Sequence, residues 1–321
     1  MKNQFALPFT AVALVCALPA AAQEYPARSI RMVVPFPAGG GSDIVARVLA
    51  QRLTATLGQT MVADNRAGAS GNIAAEIVAK APADGYTLLF ANSSLSISPA
   101  AYTKLSFDPV KDFAPISMVS SYPFVLVSHP SLPVKTVRDL VALAKAKPEA
   151  LTFSTAGAGT MSHFAMELMQ LLTAAKLTHL PYKGAAPAGI AVMSGEAHVS
   201  FLVMPVAQAQ IRVNRLRGLG VAAKTRAAVI PQVPTMEEAG VKGHIALQWN
   251  GFFAPAATPR AIIDKLHRET VAALSNTDVK QRLADEGADP VGSSPAEFAA
   301  FFRSEAAKWG DVAKRSGTKL D

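Results

Sequence analysis

From Ser29 onward this chain alternates short apolar runs with longer amphipathic ones, and that alternation limits the folds open to it. IRMVVPF reads as a strand, SDIVARVLAQRLTATLG as a helix closed by Gly58, and TMVADNR as a second strand. GASGNIAAEIVAKAP is a loop leading into a helix, and GYTLLFAN is a strand after the turn signal Pro82-Ala83-Asp84-Gly85. Parallel strands need a long crossover between them, so repetition of β then α predicts a mainly parallel sheet flanked by helices. SMVSSYPFVLVSHPS is a longer extended stretch interrupted at Pro123. A second series follows: TVRDLVALAKAKP helical, LTFSTA a strand, MSHFAMELMQLL a helix, THLPY a strand, and then APAGIAVMSG, VSFLV, VAQAQIRVN and RLRGLGVAA. Longer units close the chain, with Ser293 or Ser294 starting a last helix ahead of Pro295 and Glu297.

Two segments share one layout. VVPFPAGGGSDIVARVL and LTFSTAGAGTMSHFAMELM are each a strand, a glycine loop and a helix start, early in their own α/β series. The expected organisation is therefore two lobes, each offering one such loop.

The first residues are read apart from the fold. MKNQ supplies a positive charge, FALPFTAVALVCAL an apolar core, and Pro19-Ala20-Ala21-Ala22 a small-residue end, the layout of a secretory signal cleaved after Ala22. Removing 22 residues from 321 leaves 299, enough for two ordinary domains. Cys16 is the only cysteine, so the mature chain has no disulfide framework, cysteine nucleophile or thiolate metal site. As a lipid-anchored cysteine it is poorly served by the preceding Val15. The formal charge of +8 favours acidic partners but is dispersed, with no basic run of the kind that binds nucleic acid or membrane surfaces.

Neither glycine loop is a nucleotide motif. Gly39 and Gly41 fit the first two positions of a dinucleotide fingerprint, but Ile44 stands at the third. In the other loop Gly157 and Gly159 are followed by Ser162, and neither loop has the lysine of a Walker motif. The underlying physics remains available. Glycines let a ligand approach the backbone, and the first amides of a helix lack internal partners and carry partial positive charge. A carboxylate can take those amides as a phosphate does. Ser42 is expected to cap the first helix with Asp43 in its first turn, and Thr160 or Ser162 to cap the second with His163 just inside. Each loop alone also fits an ordinary tight turn and cap; two matched loops favour a shared anion site beyond the strands' carboxyl ends.

Other chemistry is thin. There is no His-Glu-x-x-His, and Gly68-Ala69-Ser70-Gly71-Asn72 lacks the spacing of a nucleophile elbow. His129, His179, His198, His244 and His267 read as surface or core residues, whereas His163 has a loop context and can donate to an anion in either protonation state. Tyr182-Lys183-Gly184 ends another strand on the same side. Phe36, Phe124 and Trp249 can line a pocket, with a core role the stronger reading for each.

These residues carry a resemblance. PARSIRMVVPFPAGGGSDIVAR, DNRAGASGNIAAEIVAKAPADGYTLLFAN, TFSTAGAGTMSHFAMELM, LPYKGAAPA, PQVPTMEEAG and WNGFFAPAATP resemble the periplasmic solute-binding proteins of tripartite tricarboxylate transporters, the Bug proteins. The resemblance spans the mature chain. It implies a type II, Venus-flytrap fold whose lobes are joined by two crossing strands. The lobes are expected at residues 23–123 with 234–321, and at 124–233. It also implies a periplasmic receptor, acting as a monomer without cofactor, metal or catalytic residues, that captures a small carboxylate and hands it to a two-component membrane permease. The ligand loops carried over are Phe36, Ala38, Gly39, Gly40, Gly41, Ser42 and Asp43; Ser93 and Ser94; Thr155, Ala156, Gly157, Gly159, Thr160, Ser162 and His163; and Tyr182 with Lys183. In the family, backbone amides and ordered water hold one ligand carboxylate.

Two departures bear on specificity. Many relatives have Phe-Asp-Asn where this chain has Phe201-Leu202-Val203, and often Trp-Tyr-Gly where it has Trp249-Asn250-Gly251. If those positions face the cleft, the distal part of the ligand is less cationic than an amino acid, which favours di-, tricarboxylate or aromatic acids over acidic amino acids. The rival expectations are an exported hydrolase or isomerase using His163 and Lys183 as acid and base, and a sensor presenting the bound form to a signalling partner.

Overall fold

The computed structural model describes residues 25–39, 41–102, 104–285 and 287–320. The expected signal segment with Cys16, and Gly40 of the first glycine loop, lie outside the described residues. In chain order the elements are β1 (Ile30–Val34), α1 (Gly41–Leu57), β2 (Met61–Asn65), a short 3-10 turn (Ala69–Gly71), α2 (Asn72–Ala79), β3 (Thr87–Asn92), α3 (Ser94–Ala101), β4 (Phe113–Ser128), α4 (Val137–Ala146), β5 (Thr152–Thr155), α5 (Met161–Thr173), β6 (Thr178–Pro181), α6 (Ala185–Met193), β7 (Val199–Val203), α7 (Met204–Arg212), β8 (Arg217–Val221), β9 (Leu247–Pro255), α8 (Arg260–Ser275), α9 (Thr277–Asp285), β10 (Asp289–Pro290) and α10 (Pro295–Ser316).

The strands form one path, β2-β1-β3-β9-β4-β7-β5-β6, with β8 and β10 also pairing with β4. β1, β2 and β3 are mutually parallel, as are β5, β6 and β7, in agreement with the alternating pattern. β4 and β9 run antiparallel to each other and join the halves. Along β4, Phe113 to Pro123 pairs with β9, whereas Phe124 to Ser128 pairs with β7 and β8. Pro123 therefore does not interrupt the strand. It sits where the sheet changes partners, so its missing N–H removes little from the ladder. The return crossing comes at Leu247 rather than near residue 234: Val221 bridges Thr235, and Met236 and Val241 are buried with the second lobe.

Burial explains the elements that propensity does not. Trp249 and Phe253 on β9 pack against Phe298 and Phe302 of α10, all fully or nearly buried. Such aromatic contacts add roughly 0.5–1.5 kcal/mol each beyond the area they cover. Trp249 and Phe124 are thus core residues. The far half of α10 buries Trp309, Val312 and Ala313 in the second core, so this helix spans both lobes. Its start is a capping box: Ser294 Oγ accepts from Glu297 N–H, and Ser294 N–H donates to the Glu297 carboxylate. Ser293 instead accepts from Met118 N–H and ties that start to β4. Helix α3, SLSISPAA, has no helical pattern and contains Pro99. It is held by burial of Leu95, Ile97 and Ala101 and by serine hydroxyls bonded to Ser93 O, Ser94 O and Asn72.

Candidate functional site

Strand direction brings the two glycine loops together. Asn92, at the end of β3, lies opposite Asn250, which itself lies opposite Ser120 of β4. Val203, at the end of β7, lies opposite Phe124 of the same strand. The parallel strands of the two lobes therefore run toward each other, and their carboxyl ends meet across Ser121 to Pro123. Both glycine loops leave those ends, one after β1 and one after β5. They converge on the turn after β2: Ser70 Oγ donates to Ala158 O at 2.8 Å, and a Cβ on Gly71 would lie 3.0 Å from Pro35.

The first loop is organised by Asp43. Its carboxylate is buried and accepts from Gly39 N–H at 2.9 Å, Arg47 Nε at 2.9 Å and Asn65 Nδ2 at 2.8 Å. Burial by itself would raise its carboxyl; the bonds from Arg47, Gly39 and Asn65 outweigh that and hold it below the usual carboxylate range. Asn65 also donates to Phe36 O, so one amide and one carboxylate fix both ends of the turn. The helix starts at Gly41, and Ser42 is not its cap. The Ser42 hydroxyl instead donates to Asn250 Oδ1 at 2.9 Å, and Asn250 Nδ2 donates to Ser120 Oγ at 3.0 Å. This buried chain moors the helix start to both crossing strands. Phe36 is partly buried, Ala38 and Gly39 are exposed, and a Cβ on Gly41 would lie 3.4 Å from the Tyr122 hydroxyl.

In the second loop Thr160 occupies the cap position of α5, yet its hydroxyl donates to Gly157 O at 2.7 Å and caps no helix amide. Ser162 Oγ accepts from Ala156 N–H at 3.0 Å, inside the first turn. His163 is buried, with Nδ1 accepting from Gly159 N–H at 3.3 Å and Nε2 facing the Glu167 carboxylate at 3.6 Å. Both ring nitrogens are engaged within its own lobe, which is not the arrangement expected of a donor to an anion. Thr155 is buried beside His179, Nε2 to Oγ1 at 2.6 Å.

The remaining expected residues separate into two groups. Ser93 is fully buried with its hydroxyl on Gln248 Oε1, and Ser94 N–H donates to Asn92 Oδ1. Tyr182 N–H and Gly184 N–H donate to Thr155 O and Ala156 O, so that strand end borders the second loop, and Lys183 is exposed there. The Tyr182 hydroxyl bonds Glu196, which with partial burial pushes it up to about 12. Leu202 is buried against the position of Gly189 on α6, and Asn250 is fully buried, so neither presents a free side chain to the cleft. Sequence reasoning missed Ser70, Asn65 and His179. The stretch Gly68 to Gly71 fails as a nucleophile elbow, yet its glycines mark an unusual turn: Gly68, Ala69, Ser70 and Gly71 all have positive φ.

Residues 45–318 match the model of a family described as tripartite tricarboxylate transporter family receptor. The chain belongs to that family. Bordetella pertussis protein BugT is 38% identical over 306 residues, 95% of this chain and 94% of that protein. The solved structure of R. palustris Rpa4515 with adipate has a TM-score of 0.85 at 35% identity, covering 92% of this chain and all of that one. MatC from Rhodopseudomonas palustris with bound malate has a TM-score of 0.81 at 32% identity, covering 90% of this chain and all of that one. The fold of this receptor is accordingly the two-lobed periplasmic-binding-protein fold, each lobe a mainly parallel sheet flanked by helices. Among its described residues no group of three His, Cys, Asp or Glu is placed to hold a metal, and no helix is long and apolar enough to cross a membrane.

Proposed function

We propose that this protein is a periplasmic receptor that takes a small di- or tricarboxylate, or an aromatic acid, between its lobes and delivers it to a two-component membrane permease. In this reading the first amides of α1 and α5, with the loops Phe36 to Asp43 and Thr155 to Ser162, grip one carboxylate. Ser93, Ser94, Tyr182 and Lys183 border that grip. The observation that carries the proposal is the opposed run of the two lobes' strands, which brings two helix starts to one cleft; a pair of positive dipole ends favours an anion there. Adipate and malate in related structures supply the ligand class. Capture is a closure of the lobes about β4 and β9, without bond making, and the chain acts as a monomer after cleavage near Ala22.

Isothermal titration of the mature protein with adipate, malate and aspartate tests this. Binding of a dicarboxylate is expected, with aspartate weaker. Turnover of an ester or amide substrate with no carboxylate binding would replace the proposal with a hydrolase.

A further inference from the structure

Behind the second glycine loop stand two imidazoles that the proposed function leaves without a task. The His163 and His179 rings stack at 4.0 Å between centroids and 9° between planes, and Phe153 continues the stack against His179 at 4.9 Å. Each ring reaches the loop by a different route. His163 Nδ1 accepts directly from Gly159 N–H at 3.3 Å. His179 Nε2 bonds the Thr155 hydroxyl, which in turn accepts from Gly157 N–H at 3.3 Å. Gly157 and Gly159 have φ of +142° and +75°, conformations open to glycine and costly for any residue with a side chain.

We infer that His163 and His179 are positioning residues: a stacked pair of imidazoles that sets the two glycine amides of the ligand loop, acting from behind it and not on the ligand. The inference rests on the carboxylate-binding reading above and deepens it. Its chemistry depends on protonation. A backbone N–H points at His163 Nδ1, so a proton there sets donor against donor and the Gly159 amide must turn away. The titratable groups facing the His163 ring are Glu167 from its own helix and His179 from β6; Phe153 of β5 and Phe164 enclose the rest. From α10, which also packs on α5, Lys308 lies over Trp309 and donates to Ile245 O. His179 is held neutral, its pKa pushed down to about 3 by burial and by its neighbour His163. Because the Gly159 N–H already occupies Nδ1 of His163, a proton added there costs the loop its geometry, and carboxylate binding is expected to weaken as pH falls. A histidine that donated to the carboxylate itself would do the opposite, because its cationic form attracts the anion.

Adipate affinity of wild type, His163→Ala, His163→Asn and His179→Gln, measured between about pH 8 and about pH 5.5, separates these cases. Asparagine offers an acceptor where Nδ1 stood, and glutamine reproduces Nε2. The expected result is a loss of about tenfold or more for His163→Ala, equivalent to about 1.4 kcal/mol, with near-normal affinity for the other two variants. Wild-type affinity should fall toward acid pH more steeply than that of His163→Asn, which keeps only the slope due to protonation of adipate itself. Wild-type affinity that rises toward acid, or unchanged binding by His163→Ala, would overturn the inference. Imidazole 15N NMR of the ligand-free protein reads the pair without any ligand. An unprotonated Nδ1 on His163 at neutral pH is expected, and a protonated one would also overturn it. A wild-type protein that binds no dicarboxylate while showing the expected NMR signature would defeat the functional proposal and leave the loop brace standing.

Discussion

Ser70 and Ala158 join the two lobes through one hydrogen bond of 2.8 Å, between residues 88 apart in sequence. Ser70 reaches it from a left-handed conformation, φ 54° and ψ 26°, in the turn bracketed by Gly68 and Gly71. A bond of this kind contributes about 0.5–1.5 kcal/mol, and here it contributes only when the loops are together. Ser70→Ala is therefore expected to weaken carboxylate binding by roughly two- to tenfold, chiefly by faster release, with a small change in melting temperature. Stopped-flow dissociation of adipate checks this. Release at the wild-type rate would show that the contact does not hold the closed form.

The two glycine loops should respond differently to a methyl group. At Gly39 a Cβ meets nothing within 4 Å, and the cost is the left-handed backbone alone, φ +82°. At Gly157 a Cβ would press on Tyr182 O at 3.3 Å with φ +142°. Gly39→Ala is expected to lower stability by on the order of 1–2 kcal/mol and Gly157→Ala by more. Ligand-dependent thermal shifts on both variants then report on the site, since space free of protein at Gly39 is where a bound carboxylate would approach. A full shift retained in Gly39→Val would remove the first loop from the binding surface.

Acid should destabilise the protein through buried neutral histidines. Burial, with the charge of Lys308 adding to it, brings His244 down to about 4, and burial brings His179 down to about 3. Both folded values lie below the unfolded value near about 6.5, so between roughly pH 6 and 4 the unfolded chain binds protons that the folded one refuses. Stability then falls with pH by about 1.4 kcal/mol per unit for each histidine, and above about pH 7 the effect is absent. His244 Nε2 bonds Ala165 O at 2.8 Å while its ring stacks on Phe201. His244→Gln keeps a donor for that carbonyl and should remove about one proton from the slope, as urea unfolding at a series of pH values would show. An unchanged slope would mean that His244 already takes up its proton in the folded state.

Much of this architecture was legible because it is periodic. The alternation of apolar and amphipathic segments marked the parallel strands and most of their helices, and the two glycine loops stood out by their shared layout. Long-range partners left no such trace. Nothing local distinguishes Ser42 as a cap from Ser42 as a donor to Asn250, a residue 208 positions away. His179 alternates as any strand residue would, and its role emerges only where β6 sets it against His163. Helix α3 was invisible because burial, not propensity, holds it.

Asn250 offers the strongest test of how the crossing strands govern the cleft. It is fully buried on β9 and links Ser42 at the start of α1 to Ser120 on β4, with Asn92 Nδ2 approaching the same Ser42 hydroxyl at 3.4 Å. Removing the amide takes the acceptor from the Ser42 hydroxyl and the donor from Ser120 Oγ, both buried, a loss of about 1–3 kcal/mol. Asn250→Asp keeps the shape and the Ser42 bond, but it places a charge where burial disfavours one and gives up the donation to Ser120. Asn250→Ala should therefore lower both stability and carboxylate affinity, because the helix start loses its mooring. Asn250→Asp should lower stability more at neutral pH than at acid pH, where the carboxyl can take up a proton. Paired melting and adipate titrations of the two variants decide the point. Lower stability with unchanged affinity would confine Asn250 to the core and detach the position of α1 from ligand binding.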